Sequence, residues 1–437
     1  MSLKEPTVYF VHAVDTEGPI TESLEDTFER LKLLFDVNLK PDKKTLLKLQ
    51  NKEINLNGKE ESVANCISPK RLNFINNLND LNKLLDKIFS SEFRNKFLDS
   101  LGNPYRFSWF CIDHVGFKFN PRKRLLGYHT ILKNYIKRLN LSPQFDDSIQ
   151  WHYHSVPFNR SAHCFGLNWS YDKCHIDVFT RRLIDFNLFA SAYRAGGWIE
   201  RPDMHFWLEQ WIPFDFSNHS IDNSIEQPDY ISGRFADWSR ASKSWCGYHP
   251  SKKDYQIKGD MSRYIFRSLS LDARIGSITE NDIELAFEEA IKGNNPILSV
   301  TNHDCRDIGD EIENFWPILK KVMARYPQVK LIHSNEIVAA QKSLSLKKNI
   351  NFELTINWEN NKLIVKSNKP LFGPQPFLAF KTIDREYYHD NMAYHDNLTW
   401  SYDFDWMTVK KEVLESVAVA SSDEIGDTSI KRWDRNF

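Results

Sequence analysis

The chain has 437 residues, more than one ordinary hydrophobic core takes up, so two or three domains are expected. Its 57 Lys and Arg nearly balance 58 Asp and Glu, which excludes the strong field that gathers nucleic acid or coats an anionic membrane. The six cysteines form no C-x-x-C pair, and neither a basic-then-apolar leader nor a run of eighteen apolar residues is seen. Zinc-finger, disulfide-scaffold and membrane-spanning readings therefore fall away, leaving a cytoplasmic chain with reduced thiols as the expectation.

Thr7 to Val14 (TVYFVHAV) is a β-branched and aromatic run that opens into Asp15-Thr16-Glu17-Gly18-Pro19. A buried strand that ends in acids and a Gly-Pro turn puts Asp15 and Glu17 at the carboxyl edge of a sheet, where α/β proteins keep their sites. The bland alternative is an acidic helix cap, although Thr21-Glu22-Ser23 offers better caps for the segment that follows. From about residue 23 to 101 the apolar spacing is three to four and the segment is polar overall, so a helical insertion is expected.

Tyr105 to Ile112 is a second strand, running into Asp113 and His114; no motif claims that pair. A helix over Leu125 to Leu139 follows, then the strand Ser148 to Val156, which carries Trp151-His152-Tyr153-His154. Period-2 geometry places His152 and His154 on one face. They are either two hydrogen-bonded histidines or two neutral imidazoles on one divalent metal, and a metal needs a further ligand.

A ring-rich loop, a helix from Ile176 to about Phe186 and a strand ending in Tyr193-Arg194-Ala195-Gly196-Gly197-Trp198 come next. Glu200 to Trp211 carries a proline near a helix start, and Ile212 to Ser217 brings Asp215 to another strand end. Residues 218 to 260 are loop-rich, with Trp238, Trp245 and Tyr248 among polar residues, and a loop of that kind on an α/β scaffold is where specificity usually sits. A strand over Ser262 to Leu271, a helix over Asn281 to Lys292 and a buried strand over Pro296 to Thr301 deliver Asn302-His303-Asp304. A helix over Glu311 to Tyr326 and a strand over Val329 to Ser334 complete the alternation, which argues for a parallel sheet or barrel.

From about residue 344 the period changes to two. Strands are expected at NFELTINW, at Lys362 to Ser367, and around Phe377, Trp400 and Val417, with SSDEIGDTS as a hairpin loop. This predicts a C-terminal all-β, sandwich-like module over 344–437, behind a barrel over 1–343.

Four strand ends thus direct Asp15 with Glu17, His152 with His154, Arg194, and His303 with Asp304 toward one edge. The pattern D-T-E-G-P, W-H-Y-H-S, R-A-G-G-W, I-P-F-D-F-S and I-L-S-V-T-N-H-D resembles the polysaccharide deacetylases of the NodB-homology, carbohydrate esterase family 4-like group, over roughly residues 7 to 340. Longer stretches such as VHAVDTEGP and ERPDMHFWLEQWIPFD are similar to a branch met in lipopolysaccharide O-antigen gene clusters.

The resemblance implies a distorted (β/α) barrel and a metal-dependent carbohydrate N-deacetylase acting in surface-polysaccharide synthesis. It further implies Asp15 as base, Arg194 orienting it, Asp215 in the fourth motif, and His303 as acid. Glu17, His152 and His154 are then the metal ligands, with zinc the first choice and cobalt, nickel, iron or manganese as alternatives. Two spacings depart from the family pattern: its acids are adjacent, whereas Asp15 and Glu17 are two apart, and its histidines are separated by three residues rather than one. Structural readings stand beside these roles: Arg194 bridging Asp215, His303 flanking a helix cap, Asp304 bonding backbone N–H groups.

The implied substrate is a short saccharide, nucleotide-linked or lipid-linked, with no nucleic acid partner; nothing in the sequence speaks to oligomeric state. The alternative function is a deacetylase-like component of the same pathway that binds sugar without turnover.

Overall fold

The computed structural model describes residues 5–118, 123, 126–162, 166, 169–221, 237–272 and 276–435. The strand that organises it is β1 (Thr7–Thr16), in which every residue is buried. Its alternate residues serve two different cores. Val8, Phe10 and Val14 pack against helices, whereas Tyr9, Val11 and Ala13 meet Phe110, Phe214, Phe216, Phe266 and Ile297 from other strands. A strand covered on both faces reads as a continuous apolar run rather than an alternating one, as TVYFVHAV does.

Around β1 run β2 (Ser108–Asp113), β3 (Ser148–Tyr153), β4 (Ala192–Ala195), β5 (Phe214–Asn218), β6 (Tyr264–Ser270) and β7 (Ile297–His303), all parallel and each paired with the next. β7 pairs with β1 from Tyr9 to Asp15, and the C-terminal half of β1 pairs with β2 from Ala13 to Thr16, closing a seven-stranded barrel. β8 (Lys330–His333) pairs with β1 over Thr7 to Phe10, wedged in beside its N-terminal half. That wedge is the distortion: β1 changes partner along one edge, so the barrel opens toward β8 at the end away from the acids. The helix Glu336–Ser343 stands at that end, adding Ala339 and Ala340 to the interior cluster. It is tied there by Ser148 Oγ donating to Glu336 (2.5 Å) and by the Glu336 N–H donating to Ser108 Oγ (3.2 Å).

The segment expected to be one helical insertion divides. Helix Leu24–Phe35 begins with a capping box of Ser23 and Asp26, so Asp15 and Glu17 are not its caps. With helices Lys43–Gln50 and Glu60–Cys66 it encloses a small core of its own, including Phe28, Leu31, Phe35, Val63 and Ile67. Helix Leu78–Ile88 instead places Leu81, Leu84, Leu85 and Ile88 in the main helix-on-barrel core, the position a β/α repeat gives the helix between its first two strands. Between the two parts, Ile75 donates its N–H to Cys305 O (2.9 Å) and accepts from Ile20 N–H (2.9 Å), so the chain crosses the rim where β1 and β7 end.

Beyond residue 350, β9 (Leu354–Glu359), β10 (Lys362–Ser367), β13 (Ala393–Asp396) and β14 (Thr399–Asp403) form one antiparallel sheet. A second comprises β11 (Phe377–Thr382), β12 (Tyr387–Asp390), β15 (Leu414–Ser422) and β16 (Thr428–Asp434), with Asp423 to Asp427 as the last hairpin loop. Leu354, Leu363, Val365, Trp400, Phe380 and Val417 fill the core between them. The other face of the second sheet is apolar as well: Phe377, Ala379, Ala418 and Ala420 pack on Phe179, Phe189 and Trp211 of the barrel's helical layer. Gly373 passes so close to Gln210 that an added Cβ would lie 1.7 Å from its carbonyl oxygen. Among the described residues no helix is long and apolar enough to cross a membrane.

Candidate metal centre

The C-terminal rim of the barrel gathers the two acids, the two histidines, Arg194 and His303. β1 runs to Thr16, which leaves Asp15 on the interior face and Glu17 one residue past the strand; β3 ends at Tyr153, so His152 lies in the strand and His154 just beyond. Glu17, His152 and His154 are all buried and offer one ligand atom each within 4.8 Å of one another, a cluster that could hold a metal ion. The His152 Nδ1–H faces the carbonyl of Arg194 at 3.1 Å, and in that tautomer Nε2 carries the lone pair. That Nε2 lies 3.0 Å from His154 Nε2, which in turn is 3.6 Å from Glu17 Oε1. Two nitrogens bonded to one tetrahedral divalent ion at about 2.1 Å stand roughly 3.4 Å apart, so the donor set fits such an ion with a shift of a few tenths of an ångström.

A glycine makes this approach possible. A Cβ on Gly196 would lie 2.3 Å from His154 Cδ2 and 2.8 Å from its Cα, so the ring occupies the space a side chain would need. The first glycine of R-A-G-G is thereby accounted for by close packing rather than by an unusual backbone angle.

Asp15 is engaged otherwise. Arg194, fully buried, donates from Nε to Oδ1 (2.7 Å) and from Nη2 to Oδ2 (3.0 Å), and from Nη1 to Phe216 O (2.6 Å). Burial alone would raise the Asp15 pKa, but the guanidinium outweighs it, with help from His152 and His303, and brings it down to about 2. With both oxygens committed to Arg194, Asp15 stands outside the ligand cluster. His303 closes the group, its Nε2 4.0 Å from Asp15 Oδ2 and its side chain 29% exposed at the barrel mouth.

Asp215 is not brought to this group. Phe214 and Phe216 point into the barrel, so the residue between them points out. There Asp215 accepts from Arg263 Nη1 (2.5 Å) and from the Ser217 N–H (2.9 Å), in a buried set with Glu200 and His205. Nor does Arg194 bridge to it. Asp113 is likewise structural, accepting from Trp151 Nε1 (2.7 Å) and Arg182 (3.0 Å).

The rings of the loop-rich segment are mostly core. Trp238, Trp245 and Tyr248 are at most 3% exposed, with Trp245 under Arg267 and donating to Asp282 O (2.7 Å). The loop composition is polar, but these rings pack with Ile265 and Leu269 of β6, and burial of large apolar area prevails. Residues 222–236 of that loop, and 163–165, 167 and 168 of the ring-rich loop after β3, lie outside the described residues. A half-buried tryptophan at the rim is Trp198, stacked on buried His219 at 3.9 Å and 4°, with its carbonyl held by Trp238 Nε1 (2.9 Å).

Several neighbours had been given no catalytic role from the sequence. His114 stacks on Phe117 at 4.1 Å and meets the His154 ring edge-on at 5.7 Å. Thr301 Oγ1 is 3.5 Å from Asp15 Oδ2. Asp304 accepts the Tyr135 hydroxyl and the backbone N–H groups of Glu17 and Gly18 in the turn after β1. For Asp304 the structural reading holds, since it accepts backbone N–H groups, and His114 follows the end of β2 as expected, whereas Thr301 and Tyr135 carried no signal.

No protein-family model and no curated protein matches the sequence. Among solved structures, a carbohydrate acetylesterase from Xanthomonas citri aligns at 8% identity over 70% of this chain and 65% of that one, with a TM-score of 0.15. The chain thus spans less than two thirds of that protein, and at such a score the likeness carries no argument. The resemblance to polysaccharide deacetylases, and to their O-antigen branch, rests on the quoted motifs alone.

Proposed function

We propose that the chain is a metal-dependent hydrolase that removes an acyl group, acetyl in the simplest case, from an amino sugar in a precursor of a surface polysaccharide. The observation that carries this reading is the convergence on one barrel rim of a buried Glu17-His152-His154 cluster, an ionised Asp15 and a partly exposed His303. A divalent ion held by the three ligands, zinc as first choice for two imidazoles and a carboxylate, would supply Lewis acidity toward the amide carbonyl and toward a water.

The chain's own residues account for the proton movements. Asp15 is charged at neutral pH and so can accept a proton from the water that adds to the amide carbon. A carboxyl held at about 2 keeps a proton poorly, however. His303, whose Nε2 lies 4.0 Å from Asp15 Oδ2, then protonates the nitrogen as the C–N bond breaks, leaving a free amine and a carboxylate. Arg194 fixes the Asp15 carboxylate by two hydrogen bonds and takes no proton itself. Trp198, stacked and half-buried, offers a flat face at the same rim for the sugar ring.

The low proton affinity of Asp15 is also the observation favouring a second reading, a sugar-binding component without turnover. One assay separates the two: acetate release from nucleotide-linked and lipid-linked N-acetyl sugars, set beside chitin oligomers and peptidoglycan. Release from the small linked sugars supports the hydrolase. Release from the polymers alone overturns the substrate assignment, and no release from any of them, with metal bound, leaves the binding component.

A further inference from the structure

Beside the ligand cluster lies a further carboxylate, which holds the backbone of the turn that carries Glu17. Asp304 follows His303 and is fully buried. Its Oδ1 accepts the backbone N–H of Glu17 at 2.5 Å and that of Gly18 at 2.9 Å, and its Oδ2 accepts the Tyr135 hydroxyl at 2.8 Å. Charged acceptors make shorter and stronger bonds to N–H groups than neutral ones do. All three donors thus reach one side chain, from the turn after β1 and from helix Tyr128–Leu141.

The turn is confined on its other side as well. Gly18 has φ +69°, and a Cβ there would lie 2.6 Å from Ile131 Cδ1, on the helix that also carries Tyr135. The D-T-E-G-P turn is therefore held between that helix and the end of β7, with Asp304 as the joint. Burial first, and the Asp304 charge second, push the Tyr135 hydroxyl well above its ordinary pKa, so it remains a donor. The side chain of Glu17 extends from this fixed backbone toward His154.

We infer that Asp304, braced by Tyr135, is the positioning residue of the metal centre: it sets where Glu17 presents its carboxylate, through the Glu17 and Gly18 backbone. The inference rests on the proposed metal site and deepens it. A residue acting this way affects how tightly the ion is held more than it affects the fold, and outer-sphere partners of metal ligands are worth about 10-fold to 100-fold in affinity.

The experiment uses the full chain, stripped with chelator and titrated with Zn²⁺ against a competing chromogenic chelator, with Co²⁺ and its visible spectrum as a second probe. Asp304→Ala is expected to weaken Zn²⁺ binding about 10-fold to 100-fold and to alter the Co²⁺ spectrum. Asp304→Asn is expected to recover most of the affinity, because its one carbonyl oxygen can take both N–H bonds while its amide donates to the Tyr135 oxygen. Wild-type affinity in a folded Asp304→Ala chain overturns the inference. So does an Asn variant as weak as the Ala one, which would mean that charge or direct ligation is what matters. Glu17→Gln is the control for the underlying reading: if it binds Zn²⁺ as the wild type does, the metal site itself is misassigned. Should Asp304→Ala fail to fold, Tyr135→Phe takes its place. It removes one of the three bonds, and a weakening of about threefold or more supports the positioning role, whereas unchanged affinity overturns it.

Discussion

Gly196→Ala is the substitution whose consequence can be worked most directly from the structure. A Cβ at 196 would stand 2.3 Å from His154 Cδ2, 2.7 Å from Cγ and 2.8 Å from Cα, where ordinary contact begins near 3.4 Å. The ring would have to retreat by roughly 1.1 Å, and because the Cα is also too close, turning the imidazole about χ1 does not relieve it. Gly196 is not in the left-handed region, so alanine brings no backbone penalty that would confuse the result. Metal ligands keep their distances to within about 0.2 Å, several times less than the displacement required. Overpacking of this kind costs about 1–3 kcal/mol of stability, and Zn²⁺ affinity is expected to fall by at least about 10-fold. Urea unfolding of the stripped chain gives the first quantity and chelator competition the second. A variant that loses stability but binds Zn²⁺ as before would show that Gly196 serves packing alone and that His154 is no ligand.

The double change His152→Ala, His154→Ala is expected to abolish bound metal, checked by elemental analysis of the purified chain. Asp15→Asn is expected to retain the metal and lower turnover by about 100-fold or more, the usual worth of a positioned base; loss of metal instead would exchange the roles of Asp15 and Glu17. Burial, then the nearby Glu200 carboxylate, pushes the Asp215 acid well above its ordinary pKa despite the Arg263 contact, because two carboxylates share one guanidinium. An acid so raised favours folding below its unfolded pKa and costs stability as pH rises through the folded one. Asp215→Asn should therefore flatten that fall as pH rises above the ordinary carboxylate range in urea titrations, while leaving Zn²⁺ affinity unchanged. A chain ending at residue 343 is expected to aggregate on expression, since it would bare Phe179, Phe189 and Trp211 where Phe377 now packs; a soluble monomer would contradict that.

How much of this was legible beforehand depended on whether a signal was local. The strand ends of β1, β3, β4 and β7 were readable because apolar runs stop abruptly at acids, histidines or Arg-Ala-Gly-Gly, and period-2 geometry did the rest. Asp215 was misplaced for the same reason that it looked convincing. In I-P-F-D-F-S both phenylalanines face the barrel interior, which sends the aspartate outward, and a residue at a strand end has no local mark of which side it faces. The Trp-rich segment after β5 looked like an exposed binding loop because its polar residues lie between its rings, whereas the rings fold down beside β6. The edge strands β12, β13 and β16 lacked signal because they are polar and only partly buried, β13 being exposed throughout. The packing of the C-terminal sheet onto the barrel could not be read either. Phe377, Ala379, Ala418 and Ala420 alternate with the residues of the module's own core, and two buried faces on one strand look the same as one.

The measurement that bears most directly on the metal centre is a crystal of the full chain grown with Zn²⁺, with diffraction collected on both sides of the zinc absorption edge and metal content determined on the same preparation. About one ion per chain is expected, with its anomalous peak within about 2.2 Å of His152 Nε2, His154 Nε2 and a Glu17 carboxylate oxygen. A chain that holds no ion after such treatment, or holds it away from these three residues, would contradict the metal-dependent hydrolase at its foundation.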